Sequence, residues 1–335
     1  MIISRTPFRI SLFGGGTDYP EWFKHNSGST ISTTIDKYCY INLRTLPPFF
    51  KHRYTFRYFK REEINSIDKI KHPSIKFCLK YLNFEKIDNG LEILHTADLP
   101  ALSGLGSSST FTVGLLHALK AYKNELITKR TLAYNAIHVE RNLIKEKVGS
   151  QDQVAASFGG FNYVKYLPNE SVIVNPLFLS NEEMIKFQNN SVLIFTGLQR
   201  KANTIASDKV KNILNNKTNK QLEKMEKLTR FAMNEIFSSK KIDYKKLGNA
   251  LNEQWEIKKN LSSKVTNKKI DDLFVIGKKN GAYGAKLLGA GGGGFILFFV
   301  PQKNKQKLLK CFKKLLHVPF RLDNTGSQII YFQNS

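Results

Sequence analysis

Apolar and polar positions alternate at period two over residues 1–13, 29–45 and 53–59, and that spacing predicts strands with one buried face. From residue 74 the period becomes helical. Ile75, Cys78, Leu79 and Leu82 share a stripe over 74–84, and Phe111, Leu115, Leu119 and Tyr122 share one that ends near 123. Leu132, Ala133, Ala136, Ile137, Leu143 and Ile144 form a third stripe, predicting a helix over 129–147. Short strands are expected at 91–95 and 161–167. After Gln188-Asn189-Asn190 a new apolar run opens at Val192, and helical, lysine-rich segments follow over 203–214, 219–238, 243–260 and 268–280. A strand at 295–300, a helix near 303–316 and a strand around 328–332 complete the chain. Hairpins mixed with helices predict an α+β fold. The length of 335 residues suits two domains, divided into 1–188 and 189–335.

Composition narrows the class. With 41% hydrophobic and 24% charged residues, the chain is neither disordered nor collagen-like. No run of about 18 apolar residues predicts a membrane span, and the start reads as a strand, not a signal peptide. Three dispersed cysteines, Cys39, Cys78 and Cys311, exclude a disulfide scaffold and fit a reducing cytoplasm. The net charge of +25 attracts polyanions, so nucleic acid and phosphorylated small molecules both come into view. Pairs such as Lys258-Lys259, Lys268-Lys269 and Lys278-Lys279 are scattered along helices and read as solvated faces. An RNA-binding protein is the competing class, because Tyr54, Phe56 and Tyr58 interleave with Arg53, Arg57 and Lys60 as a stacking platform would.

Five segments carry candidate chemistry. Pro100-Ala101-Leu102-Ser103-Gly104-Leu105-Gly106-Ser107-Ser108-Ser109 joins a strand to an amphipathic helix. Glycines there turn backbone N–H groups inward, the helix N-terminus favours anions, and serine hydroxyls suit phosphate or Mg²⁺; the same turn also serves as a plain cap. It lacks the lysine ending of a Walker A loop. Glu140 falls on the apolar stripe of its helix, where a carboxylate needs a cation or hydrogen bonds, or an edge position open to solvent. Asp152, in Gly149-Ser150-Gln151-Asp152-Gln153, is either a helix-dipole partner or a proton acceptor, with Ser150 as the expected N-cap. Gly14-Gly15-Gly16-Thr17-Asp18 is an Asx-type turn or a carboxylate reaching a hydroxylated ligand. Gly289 to Gly294 enters a strand rather than leaving one, which excludes a Rossmann fingerprint. It reads as a flexible turn, or as backbone pressed against a phosphate or the first domain.

In this order, RTPFRISLFGGGTDYP, PALSGLGSSST and GAYGAKLLGAGGGGF resemble the three motifs of the GHMP small-molecule kinases over nearly the whole chain. Galactokinases carry a glutamate and a histidine before the Thr-Asp-Tyr. The GGGTDYP found here is similar instead to the heptose 7-phosphate kinases and fucokinases of that family. The resemblance implies an N-terminal domain of the ribosomal-protein type with a left-handed crossover and a ferredoxin-like C-terminal domain. ATP and Mg²⁺ are its implied cofactors, and a sugar or sugar phosphate its acceptor, phosphorylated most readily at the anomeric hydroxyl. Heptose 7-phosphate is the first expectation, and fucose or another hexose the alternative. By the same resemblance Ser103, Gly104, Leu105, Gly106, Ser107, Ser108 and Ser109 wrap the triphosphate. Ser108 and Glu140 hold the metal, Asp152 orients or deprotonates the hydroxyl, and Arg9 stands beside it. Gly15, Gly16, Thr17, Asp18, Gly291 and Gly292 are expected against substrate. Independently of the resemblance, Arg200, which directly follows the strand-like LIFTGLQ where a loop would face the cleft, is expected to read an acceptor phosphate, or else is a surface residue. A cytoplasmic enzyme is expected, without nucleic acid or membrane partners, and a homodimer is left open.

Overall fold

The computed structural model describes residues 1–86, 89–101, 103–198 and 202–333. Strand β1 (Ile2–Phe13) leads through α1 (Pro20–Asn26) to the long β2 (Gly28–Leu46), and the two pair antiparallel from Ile2↔Leu43 to Phe13↔Ile31. Their register breaks between Pro7 and Arg9, an irregularity of the kind that re-aims side chains at functional sites. Then come β3 (Tyr54–Arg57), β4 (Arg61–Ile64), α2 (Pro73–Tyr81) and β5 (Gly90–Ala97), with β5 antiparallel to β2 and parallel to β3. Helices α3 (Ser107–Tyr122), α4 (Lys129–His138) and α5 (Gln151–Phe158) precede β6 (Phe161–Tyr166) and β7 (Val172–Pro176).

Through α6 (Asn181–Asn189) the chain enters a second unit, made of β8 (Ser191–Phe195), α7 (Ala202–Leu214), α8 (Asn219–Ala232), α9 (Tyr244–Lys259), α10 (Lys268–Lys279), β9 (Gly284–Leu287), β10 (Phe295–Phe299) and α11 (Gln302–Cys311). Its sheet runs β8-β10-β9. Strand β10, FILFF, is apolar throughout and buried on both faces, as the centre of a covered sheet requires. Phe187 on α6 packs between the two sheets, its ring edge-on to Phe161 of β6 at 5.7 Å and to Phe299 of β10 at 5.1 Å. The chain then returns. Strands β11 (Leu322–Asp323) and β12 (Gln328–Phe332) pair with β2 and β1, so that among the described residues nine strands form the first sheet. The span 189–335 is therefore not one unit: its last strands belong to the first sheet, where β12 fills the free edge of β1 and β11 pairs with Thr34 and Ile35 of β2, between the stretches taken by β6 and β5.

Two further expectations change. The helix over 129–147 is α-helical only to His138, and Val139–Leu143 form a π-helical turn in which Ile144 N–H reaches Val139 O at 2.9 Å. The aromatic strand is not a stacking platform. Tyr54 and Phe56 are buried in the first core and Tyr58 donates to Glu62, which removes the surface on which the RNA-binding reading rested. No helix among the described residues is long and apolar enough to cross a membrane.

Candidate active site

A cavity of about 290 Å³ opens where β1, the loop before α3, α5, α7 and α9 meet. Its floor on the first unit is the Gly-Ser loop. Gly104 and Gly106 both take positive φ (82° and 80°), which turns the chain sharply into α3. Ser107, Ser108 and Ser109 in the first turn of that helix line the cavity, so the unpaired N–H groups of the helix start face into it. The glycine-rich loop after β9 presses on this floor. A Cβ on Gly289 would stand 2.5 Å from Gly104 Cα, and Phe295 N–H donates to Ser103 O at 3.2 Å. Close approach of two backbones is what those glycines permit.

Arg9, next to the register break in β1, reaches over the loop. Its Nη1 donates to Gly104 O at 2.9 Å, and its Nε and Nη2 lie 2.8 and 2.6 Å from Asp152 Oδ1. Both contacts with the carboxylate go to Oδ1, which leaves Oδ2, on the side of Gly106, free of Arg9. Asp152 sits in the first turn of α5, but Ser150 does not cap that helix with its side chain; its hydroxyl accepts from Arg141 instead. Asp18 is buried, accepting from Gly16 N–H at 2.9 Å and from Gln151 N–H at 3.3 Å. Burial raises its carboxyl above the usual range, with the negative charge of Asp152 adding to the effect. Gly149 makes room for it: a Cβ there would meet Asp18 Oδ2 at 1.8 Å.

Glu140 lies on the π-helical turn, fully buried. Such turns recur at functional sites because the extra residue displaces one side chain from the helical pattern. Its Oε2 accepts from Ser109 Oγ at 2.8 Å and from Gln153 Nε2, whereas Oε1 has no hydrogen-bond partner among the described residues. Burial pushes the carboxyl up to about 7. The serine that reaches Glu140 is thus Ser109; Ser108 is exposed at the cavity rim, because successive helical positions diverge by about 100°. Besides Glu140 Oε1, the side-chain oxygens of Gln151, Gln153 and Gln254, which line the cavity, are buried without hydrogen-bond partners among the described residues. An all-oxygen donor set with one carboxylate fits Mg²⁺, which keeps water and phosphate oxygens as its other ligands. Among the described residues no group of three or more His, Cys, Asp or Glu could hold an ion without them.

The opposite wall comes from the second unit, and sequence patterning did not find it. Lys209 of α7, Lys258 of α9 and Lys286 of β9 line the cavity at 6%, 4% and 2% exposure. Lys258 is therefore no part of a solvated face, unlike Lys259 beside it, which pairs with Glu256. The available signal was its position. Leu247, Leu251, Gln254, Trp255 and Lys258 follow one helical stripe, and all are buried.

Other expected residues fall elsewhere. Gly15, Gly16 and Gly291 line the cavity with Asp18. Thr17 is buried behind it, its Oγ1 2.9 Å from the carbonyls of Gly14 and Ser29, where it locks the turn. Leu105 belongs to the core. Gly292 gives its N–H to Val265 O at 2.8 Å and is not part of the cavity wall. Arg200 lies outside the described residues.

A backbone cradle for phosphate, an acidic group beside it and cations across the gap are what phosphoryl transfer to a hydroxyl requires, since that reaction depends on positioning and charge neutralisation. The fold and site thus define a small-molecule kinase. Family models agree: residues 72–160 match the GHMP kinases N terminal domain and residues 235–317 the GHMP kinases C terminal. The chain is 32% identical over 327 residues to the D-glycero-alpha-D-manno-heptose 7-phosphate kinase of Campylobacter jejuni, covering 93% of each. It is 27% identical to the galactokinase of Pyrococcus furiosus, covering 92% of this chain and 91% of that one. Among solved structures, a D-glycero-D-manno-heptose 1-phosphate kinase from Bacteroides thetaiotaomicron superposes with a TM-score of 0.81 over the full length of both chains, at 23% identity. The chain belongs to the GHMP kinase family. It is an ATP-dependent sugar kinase with an alcohol group as acceptor.

Proposed function

We propose that the chain phosphorylates the anomeric hydroxyl of D-glycero-D-manno-heptose 7-phosphate, giving the 1,7-bisphosphate. The observation that carries this reading is the Arg9–Asp152 pair, held between the Gly-Ser loop and Asp18 in a cavity with more fixed cations than carboxylates. Similarity to the Campylobacter jejuni enzyme supports the choice of acceptor. Asp152 Oδ2 receives the proton of the anomeric hydroxyl as its oxygen forms the new bond to the γ-phosphorus and the bond to the ADP oxygen breaks. Arg9 fixes the Asp152 carboxylate through Oδ1 and offsets negative charge beside the loop. Asp18 orients the sugar from the floor of the acceptor end. Glu140 and Ser109, with Ser108 at the rim, would hold Mg²⁺, which neutralises phosphate charge when bound. The reaction would be cytoplasmic, its product a precursor for nucleotide-activated heptose.

A panel of heptose 7-phosphate, fucose, galactose and mevalonate, assayed with ATP, tests the reading. Heptose 7-phosphate should show the highest kcat/KM. Faster turnover of fucose, or none of heptose 7-phosphate, refutes it.

A further inference from the structure

Of the 52 basic residues, Lys209, Lys258 and Lys286 are set apart by where their charge sits. They come from a helix, another helix and a strand of the second unit, and all three line one cavity. None makes an ion pair with a described residue. Lys258 donates to Leu287 O and Gly289 O, both at 2.7 Å, Lys209 to Ala290 O at 2.9 Å, and Lys286 to Leu12 O at 2.7 Å. Each ammonium carries three donors, so five of their nine N–H bonds remain for something in the cavity. A buried ammonium without a counter-charge is costly, and three together repel one another. The burden shows in all three: burial and mutual repulsion hold Lys258 and Lys286 well below the ordinary lysine range, and burial brings Lys209 down to about 8. The carboxylates close enough to matter do not cancel the cluster. Asp18 acts on Lys209 and Lys286, and Asp152 is already taken by Arg9.

We propose that Lys209, Lys258 and Lys286 form a subsite for a phosphate dianion carried by the acceptor, separate from the Gly-Ser loop that cradles the nucleotide. The loop already supplies a helix N-terminus for the triphosphate, on the opposite unit. The lysines face the acceptor end, where Lys209 and Lys286 feel Asp18. A dianion there satisfies donors from three elements at once, whereas a neutral sugar leaves three desolvated cations unpaired. A site that must fill its own buried polar groups rejects the analogue that lacks the matching group far more strongly than apolar packing can. The subsite thus acts as a selector for phosphorylated sugars.

This inference rests on the acceptor being a sugar phosphate, and binding measurements separate it from the reaction. Calorimetry is performed on the full chain saturated with MgADP, so that the nucleotide loop is filled. Heptose 7-phosphate should bind at least ~100-fold more tightly than dephosphorylated heptose, about 2.7 kcal/mol. Lys209→Gln and Lys286→Gln should each reduce that preference below ~10-fold while ADP affinity stays within about twofold. Lys258→Met is the second line if either glutamine variant unfolds. A preference that survives in the variants, or no preference in the parent protein, overturns the subsite. Preferential, lysine-dependent binding without turnover would leave the subsite standing and refute the proposed reaction. Equal turnover of both heptoses would refute the subsite alone.

Discussion

Replacing Glu140 by glutamine should make the metal-free protein more stable at pH 8 and leave it nearly unchanged near pH 5. Glu140 is fully buried and its carboxyl is raised from 4.5 to about 7. A raised carboxyl binds its proton more tightly in the folded state, so its favourable contribution is complete below pH 4.5. It is lost as the pH climbs through 7. At 1.36 kcal/mol per pH unit, the displacement is worth about 3 kcal/mol at pH 8. Glutamine keeps an oxygen to accept from Ser109 and Gln153, and its new amide donors have to find partners, a correction of about 1 kcal/mol. The net expectation is about 2 kcal/mol in favour of Glu140→Gln at pH 8. Urea unfolding at pH 5 and pH 8 in the presence of a chelator measures it. Adding MgADP at pH 8 should stabilise the parent protein more than the variant. A stability difference that does not change with pH, or a variant less stable than the parent at pH 8, refutes the reasoning.

Asp152→Asn should lower kcat at least ~10²-fold with nucleotide affinity close to that of the parent, as measured by steady-state kinetics and ADP titration; a small effect would reduce Asp152 to a partner of Arg9. Gly149→Ala should cut kcat/KM for the acceptor by at least ~10-fold while KM for ATP moves little. The added carbon would displace Asp18, which stands 1.8 Å from its position, and a crystal structure with Asp18 unmoved contradicts this. For the phosphorylated acceptor, kcat/KM should fall as pH rises through about 8, where Lys209 loses its proton. Asp18, Lys258, Lys286 and Arg9 face the same space, so the decisive comparison is with Lys209→Arg, whose profile should stay flat to higher pH.

The first sheet was legible because its signals are local. Alternation over 1–13 and 29–45 marks strands observed at 2–13 and 28–46, and the glycine-serine turn identifies the start of α3. What escaped depends on tertiary placement. The periodicity of 129–147 continues past His138, yet the extra residue of a π-helical turn leaves the apolar pattern nearly intact, so it does not show in a stripe. Ser108 and Ser109 are equivalent by composition, and only the pitch of α3 decides that Ser109 meets Glu140. Lysine pairs usually mark solvent. Lys258 and Lys286 are buried because a cavity between two units, assembled from segments far apart in the chain, gives their amino groups carbonyls to bond. No pattern within one helix or strand contains that information.

The pairing of β12 with β1 fixes when the site can be finished. Ile2 lies opposite Phe332 and Arg5 opposite Gln328, and Met1 and Gln333 exchange backbone hydrogen bonds. During synthesis, then, the strand that bears Arg9 keeps one edge bare until residues 328–332 have left the ribosome. An exposed strand edge is a template for pairing with other chains, and closing so long a loop delays the step that covers it. A chain truncated before Gln328 would therefore keep every cavity residue and leave its first strand open to aggregation.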